Sequence, residues 1–155
     1  MKDQLVILDI LAHNNWKRPI YFAPGMPGSA YGNLNNYLEA EGMAWRLTPF
    51  YHNDEDHELT TDPACNTEKS FNLMMQNYAW GVMKNPDVYA DETVERMFID
   101  PMRESAAVVA AALISEGKRE EAAQLIKRCI EELPATQASP DDKWLALCAA
   151  AFGTG

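Results

Sequence analysis

The segment that most constrains the fold is residues 103–134, which read RESAAVVAAALISEGKREEAAQLIKRCIEELP. Apolar residues recur at helical spacing on both sides of Gly117, so the segment predicts two helices that meet at this glycine. Many of these residues are alanines, whose small side chains allow two antiparallel helices to approach closely. Gly117 suits the turn because glycine adopts the left-handed, helix-ending conformation without the steric cost of a Cβ atom.

The second helix of this hairpin resembles part of a tetratricopeptide repeat. Such a repeat carries an alanine, a large apolar residue four positions later and a proline eight positions beyond that. Ala122, Ile126 and Pro134 stand at these spacings. The first helix departs from the pattern where tryptophan, leucine, glycine and tyrosine are typical, namely at Ala106, Val109, Ala110 and Leu113. We therefore predict a degenerate tetratricopeptide-like hairpin.

A further helix is predicted after the hairpin, over residues 139–152. Ser139 and Pro140 make a strong helix start, and Trp144 and Leu147 reproduce the opening of another repeat. The apolar face of this helix also includes Leu145, Cys148 and Phe152. Two explanations stay open. Either the helix caps the domain by packing back on the hairpin, as terminal repeats do, or the chain is a piece of a longer repeat array.

The first part of the chain alternates between helix and strand patterns. Residues 3–13 carry leucines at helical spacing, and residues 18–23 favour a short buried strand because they include isoleucine, tyrosine and phenylalanine. A second helix is predicted over residues 36–42 and a second strand over residues 43–50. Because a helix between two strands is typical of a crossover connection, we predict a small parallel strand pair.

The rest of the chain is predicted to be helical. Thr67 is predicted to cap a helix that runs to about Met83, and Asp91 to open another short helix. Asp100 and Pro101 are predicted to be the N-cap and the first residue of the next one. The predicted fold class is therefore mostly α. We expect an α/β-like N-terminal unit over residues 1–66 and a unit of tetratricopeptide-like helical hairpins over residues 67–155, packed together as one piece of a longer protein.

Charge and hydropathy exclude several classes of partner. The net charge of −10 repels phosphate backbones and anionic lipid headgroups, so no nucleic acid partner is expected. The apolar stretch Leu5–Ala12 is far shorter than the roughly 20 apolar residues that span a bilayer. We therefore expect a soluble piece of chain that is not itself embedded in a membrane.

Two motifs resemble a known family: LDILAHNNWKRPIYFA at residues 8–23 and NYLEAEGMAWRLTP at residues 36–49. They resemble the C-terminal soluble region of a bacterial family of large multipass membrane proteins related to protein O-mannosyltransferases. The resemblance implies that any glycosyl transfer belongs to the membrane-embedded part, so this chain is expected not to be an enzyme and to have no catalytic residues. It also implies a position on the extracytoplasmic, periplasmic side of the membrane.

One set of aromatic and charged residues could form a ligand groove. Aromatic faces stack on sugar rings, and adjacent charged groups bind hydroxyls or peptide groups. The candidate set is Trp16, Arg18, Tyr21, Tyr37, Glu41, Trp45 and Arg46. The alternative is that the two tryptophans belong to the core and that Arg18 forms a surface ion pair with Glu41 or Glu39.

No cofactor or metal site is expected. Residues 51–58 gather two histidines and four carboxylates but lack a calcium-loop glycine and a second ligand cluster, so they predict a solvated loop. The three cysteines, Cys65, Cys129 and Cys148, show no metal-ligand spacing. The last two fall at helical core positions, where a free cysteine acts as a small apolar side chain.

These features favour a non-catalytic accessory or protein-interaction domain of a larger membrane protein. Its partner would be a protein or peptide, with the membrane domain of the same protein as one candidate. The aromatic and arginine groove leaves open a unit that binds glycans or peptides. A purely structural tail is the third hypothesis.

Overall fold

A computed structural model describes residues 2–23, 31, 34–52, 64–85 and 87–133. The helices are α1 (Lys2–Asn14), α2 (Thr67–Asn72), α3 (Glu92–Val94), α4 (Asp100–Ser115) and α5 (Arg119–Glu132). The strands are β1 (Tyr21–Phe22), β2 (Leu38–Glu41), β3 (Ala44–Leu47) and β4 (Ala64–Cys65). A 3₁₀ turn at Asn35–Tyr37 precedes β2, and π-helical turns at Leu73–Asn77 and Glu95–Ile99 extend α2 and join α3 to α4.

The four strands form one mixed sheet in the order β1-β3-β2-β4. Strand β3 pairs antiparallel with both β1 and β2, while β2 and β4 are parallel. The fold is therefore mixed α/β, and the predicted fold class, mostly α with a small parallel strand pair, is wrong. The two strands that we predicted, near residues 18–23 and 43–50, do pair with each other, but in the antiparallel sense.

The predicted helix over residues 36–42 is wrong because Gly42 makes a tight hairpin turn there. Gly42 has φ +65° and, with Met43, forms a two-residue connection between β2 and β3. The Gly42 amide donates to Ser70 Oγ at 2.8 Å, and the Met43 amide donates to Tyr78 Oη at 3.0 Å. Ser70 and Tyr78 thus fix the turn through hydrogen bonds. Leu38–Glu41 therefore forms a strand of the sheet, although its residues favour helix.

The hairpin of α4 and α5 forms as predicted, with Gly117 at its turn at φ +78°. The faces that the two helices turn toward each other are buried with Met74, Trp80 and Ile99 in the larger core. The prediction of tetratricopeptide-like hairpins is nevertheless wrong, because this hairpin packs beside a sheet and short helical segments in an α/β fold. Pro134 and the predicted helix over residues 139–152 lie outside the described residues.

Two predicted helix boundaries differ from the structure. The helix that begins at Thr67 is capped by Asn66, whose side chain accepts from the Lys69 amide. It ends at Asn77, since Tyr78 is extended and its hydroxyl accepts the Met43 amide. The predicted helix start at Asp100-Pro101 is also wrong, because the helical backbone continues from α3 through the π turn into α4. The wide turn lies directly before Pro101, whose ring a regular helix interior accommodates poorly.

Replacing Gly117 by valine is expected to lower the free energy of unfolding by about 1–2 kcal/mol, because a residue with a Cβ atom resists the left-handed conformation. A clash of the Cβ atom does not contribute to this loss, since a Cβ atom at this position meets no atom within 4 Å. Urea unfolding monitored by circular dichroism measures it. Gly117→Asn is the matched control and should cost less, since asparagine tolerates this conformation better. Equal stability of the valine variant and wild type would contradict the capping role.

Candidate functional site

The most concentrated group of polar contacts surrounds the carboxylate of Glu41, whose side chain is only 1% exposed. Its Oε1 atom accepts from Arg46 Nη1 at 2.7 Å. Its Oε2 atom accepts from the Tyr21 hydroxyl at 2.6 Å and from Lys69 Nζ at 2.5 Å. We refer to Tyr21, Glu41, Arg46 and Lys69 as the Glu41 cluster. Both carboxylate oxygens are thus occupied by charged or hydroxyl donors.

The sheet register places three members of the Glu41 cluster on one face. Tyr21 of β1 lies opposite Arg46 of β3, and Arg46 lies opposite Glu39 of β2. Glu41 is two residues beyond Glu39, so its side chain emerges on the same face. Lys69 reaches this face from the first turn of α2, which lies next to β2 because Ser70 Oγ donates to the Ala40 carbonyl.

The environment of Glu41 keeps its carboxyl ionised. Burial alone would raise the pKa of Glu41, but the hydrogen bonds from Lys69, Tyr21 and Arg46 outweigh it, and the pKa falls below its ordinary value of 4.5. A general acid or base works best with a pKa near the working pH. A carboxylate that stays ionised and has both oxygens occupied is suited to holding β1, β2, β3 and α2 together.

Replacing Glu41 by glutamine tests this electrostatic role through pH. The wild-type carboxyl has a lowered pKa when folded, so on acidification the unfolded chain takes up this proton first. The stability advantage of wild type over Glu41→Gln is therefore expected to be fully present above about pH 5 and to shrink as pH falls through 4.5 and below. Urea titrations of both chains at about pH 7 and about pH 3.5 measure it. An advantage that does not change with pH would contradict the ionic role.

The other predicted groove residues do not join the Glu41 cluster. Trp16 lies in the turn after α1 with φ +56° and is 52% exposed, so it is not a core residue. Arg18 is exposed, and its backbone bonds to the Asn14 side chain. Glu41 pairs with Arg46 and Lys69 rather than with Arg18.

Trp45 and Tyr37 lie on the apolar side of the sheet. Both are partly buried against the smaller core cluster of Phe22, Leu38 and Leu47. Trp45 and Arg46 are neighbours along β3, so their side chains point to opposite faces, and the sheet cannot bring both into one groove. The structure therefore places Trp45 against the smaller core cluster, on the face of the sheet opposite to Arg46, and of the seven predicted residues it brings Tyr21, Glu41 and Arg46 together.

Sequence reasoning missed Lys69. It follows Glu41 by 28 positions, and no spacing pattern links a residue in a helix to a strand so far away. The sequence does indicate the β2–β3 hairpin, because Gly42 lies between two four-residue segments and suits a two-residue turn. Had the turn been recognised, Glu39, Glu41 and Arg46 would have been placed on one face, but the donor from α2 would still be unassigned.

Helix α1 exposes large apolar side chains. Ile7 and Leu11 pack against the smaller core cluster. The remaining apolar residues are exposed by 48–64% and form what we call the α1 surface: Leu5, Val6, Leu8 and Ile10. A helix that is apolar around most of its circumference is normally buried on all sides, so the exposed apolar side chains of α1 indicate that another surface covers this helix.

The described residues hold no group of histidine, cysteine or carboxylate side chains that could bind a metal ion. Most of the histidine and carboxylate loop, residues 53–58, lies outside them. His52 is described, and its Nε2 atom lies 3.0 Å from Thr48 Oγ1. Cys129 is buried as predicted, and burial raises the pKa of the Cys65 thiol to about 11, which makes it a poor nucleophile.

Residues 1–69 match the family model described as TMEM260-associated domain 2. The N-terminal part of the chain is similar to this domain. The matched segment contains α1, the whole described sheet and Lys69. No curated protein and no solved structure matches the chain. Among the described residues, no helix has the length and apolar character needed to cross a membrane.

Proposed function

We propose that this chain is a non-catalytic accessory domain of a larger membrane protein and that it docks on another part of that protein through the α1 surface. The observation that carries the proposal is the exposure of Leu5, Val6, Leu8 and Ile10 on one helix. This helix lies within the segment that matches TMEM260-associated domain 2, a description that denotes association with a transmembrane protein.

The chemistry of the Glu41 cluster supports a non-catalytic role. A catalytic carboxylate needs access to a substrate atom or proton, whereas Glu41 is buried and saturated by Arg46, Tyr21 and Lys69. The pKa of Cys65 is raised well above neutrality, which leaves its thiol protonated at ordinary pH. Within the described residues, the Glu41 carboxylate and the Cys65 thiol therefore suit a structural role better than a catalytic one.

The apolar character of the α1 surface favours a protein partner over a lipid or nucleic acid one. The net charge of −10 opposes approach to anionic lipid headgroups and phosphates. An apolar helix face that is covered by a protein groove is a common mode of recognition. The extracytoplasmic location that the sequence resemblance implies is part of the proposal.

Membership of a larger membrane protein is tested by an antibody against this chain. In the source cells we expect a membrane-fraction band well above the 17.4 kDa of the chain. Protease added outside the cytoplasmic membrane should digest the epitope if the domain is extracytoplasmic. A soluble band at 17.4 kDa would overturn the accessory-domain proposal, and an epitope that resists protease until the cytoplasmic membrane is broken would overturn only the location.

Docking through the α1 surface is tested by site-specific photo-crosslinking in the intact protein. A photo-reactive residue at Leu8 or Ile10 should crosslink to another segment of the same polypeptide, and the same probe at Glu131 is the matched control on an exposed part of α5. Crosslinks from both positions of α1 but not from Glu131 support the proposal. Crosslinks from α1 to lipid alone would show that the α1 surface faces the membrane and overturn protein docking.

A second candidate function, glycan or peptide binding, is favoured by Trp16. This tryptophan is half exposed and held at positive φ, and such strain in a bulky residue often marks a functional site. Saturable binding on a glycan array that is lost in Trp16→Ala, with Trp45→Phe retained as a control, would favour this function. No binding to any glycan would exclude it for the array tested.

Trp16 itself should contribute little to stability. Because its side chain is half exposed, we expect Trp16→Ala to change the free energy of unfolding by less than about 1 kcal/mol. Trp16→Gly should be more stable than Trp16→Ala by about 1 kcal/mol, since glycine adopts φ +56° without strain. Urea unfolding of the two variants measures the difference. A loss of several kcal/mol in either variant would mean that Trp16 packs in the core.

A further inference from the structure

The turn that follows α1 has a fixed conformation that two of its residues adopt only with strain. Asn15 and Trp16 have φ +45° and +56°, which a residue with a Cβ atom resists. The Asn14 side chain fixes the turn from both directions, since its Nδ2 atom donates to the Arg18 carbonyl at 2.7 Å and its Oδ1 atom accepts from the Arg18 amide at 3.3 Å. We call residues 14–18 the Trp16 turn. Strain that the surrounding structure maintains in this way points to a functional position.

The Trp16 turn presents an indole ring and two cations to solvent. Trp16 is 52% exposed, and Lys17 and Arg18 are exposed as well. Among the described residues no carboxylate forms an ion pair with either cation, whereas most described lysines and arginines elsewhere in the chain are paired. The nearest carboxylate along the chain, Asp9, pairs with His13. The turn is therefore a small cationic patch on a chain whose net charge is −10.

This patch continues the α1 surface at the C-terminal end of the helix. Ile10 of the α1 surface precedes Asn14 by one helical turn, which is about 6 Å along the axis. The α1 surface consists of leucine, valine and isoleucine, and leucine and valine are under-represented among the residues that contribute most to binding energy. Tryptophan and arginine are the enriched types at such positions. The Trp16 turn thus supplies the two residue types that the α1 surface lacks.

We propose that the Trp16 turn is the anchor of the docking interface, and that its partner is an apolar pocket with carboxylates at its rim, on another segment of the same larger protein. Trp16 enters the pocket, and the carboxylates pair with Lys17 and Arg18. This inference rests on the proposed function, because it names the chemistry of the partner that the α1 surface contacts.

Charge complementarity favours carboxylates on the partner. A pocket without them would desolvate Lys17 and Arg18 and leave both cations unpaired, which opposes binding. Cations near the C-terminal end of a helix also interact favourably with its dipole. That effect stabilises α1 within the chain and requires no second surface, so measurements on docking separate the two roles.

Pairing of Lys17 with a carboxylate is tested by carbodiimide crosslinking of the intact protein, followed by mass spectrometry. The reagent joins an amine to a carboxylate through an amide bond without a spacer. We expect Lys17 to be joined to an aspartate or glutamate of another segment of the polypeptide. Lys127, whose Nζ atom lies 3.9 Å from Glu131, is the matched control and should be joined to Glu131 within α5. Lys17→Arg keeps the charge but should abolish the Lys17 product.

The contribution of the anchor to docking is measured by the yield of the photo-crosslink from Leu8. Trp16→Ala should lower this yield at least about fivefold, and so should Lys17→Glu with Arg18→Glu. The matched control is Arg96→Glu with Lys127→Glu, which makes the same change of charge at exposed positions outside the Trp16 turn and should leave the yield unchanged. Circular dichroism checks that each variant is folded.

The outcomes separate this inference from the proposed function. A Leu8 photo-crosslink that persists in folded Trp16→Ala and in the charge-reversed variant overturns the anchor and leaves docking through α1 intact. Absence of the Leu8 crosslink in wild type overturns both. Lys17 joined only to carboxylates of this chain also overturns the anchor, because its charge then serves the fold. Saturable glycan binding that is lost in Trp16→Ala would assign the indole to a sugar and overturn the protein pocket. If Trp16→Ala does not fold, the Lys17 product still decides.

Discussion

Replacing Gly42 by alanine is expected to lower the free energy of unfolding by about 3–5 kcal/mol, because two effects coincide at this turn. The backbone has φ +65°, which a residue with a Cβ atom adopts only with strain. The Cβ atom would also lie 2.1 Å from Tyr78 Oη and 3.0 Å from its ring carbon Cζ. That hydroxyl cannot move away without losing its bond to the Met43 amide. Urea unfolding at neutral pH measures the loss.

Gly81→Ala is the matched control for the Gly42 variant. Gly81 also has a positive φ, +84°, but a Cβ atom there meets no atom within 4 Å. It should therefore show the conformational cost alone, about 1–2 kcal/mol. Tyr78→Phe removes the nearest atom, so the Gly42→Ala, Tyr78→Phe double variant should lose less than the sum of the two single variants. Equal losses at Gly42 and Gly81 would show that the contact with Tyr78 contributes nothing.

The elements that sequence predicts correctly are those specified by local signals. Helix α1 and the α4–α5 hairpin follow from apolar spacing and Gly117, and the helix at Asp91 follows from its cap, since the Asp91 side chain accepts from the Val94 amide. Each of these signals lies within a few residues of the structure that it specifies. These elements can therefore be predicted without knowledge of the rest of the fold.

The elements that sequence misses are set by distant contacts. Leu38–Glu41 has the composition of a helix, but the Gly42 turn pairs it with β3, and Ala64–Cys65 pairs with its other edge. Tertiary pairing of this kind overrides weak local propensity. The same contacts decide the candidate site: the antiparallel register brings Tyr21 and Arg46 together and separates Trp45 from them. The sequence therefore predicts three members of the Glu41 cluster, namely Tyr21, Glu41 and Arg46, and the pairing of the strands determines that these three come together.

The two cations around Glu41 are expected to matter more for stability than the carboxylate itself. The double variant Lys69→Met, Arg46→Met leaves the buried carboxylate without either cation, and breaking a buried ion pair in this way costs about 3–5 kcal/mol. Glu41→Gln leaves two cations that are 44% and 40% exposed and can be rehydrated, so it should cost less. Lys127→Met removes a cation that lies 3.9 Å from Glu131 on the surface, and as a control it should cost under about 1 kcal/mol.

The same double variant should also reverse the pH dependence that Glu41 contributes. Without Lys69 and Arg46, burial is left as the main influence on Glu41 and raises its pKa above 4.5. The folded chain then binds this proton before the unfolded chain, so the contribution of Glu41 to stability falls as pH rises through 4.5. In wild type, where the pKa of Glu41 is lowered, the contribution of Glu41 to stability instead rises with pH. Urea titrations of the double variant with and without Glu41→Gln, at about pH 4 and about pH 7, isolate the effect of this one carboxyl. A contribution that still increases with pH would mean that Tyr21 and water hold the charge without the two cations.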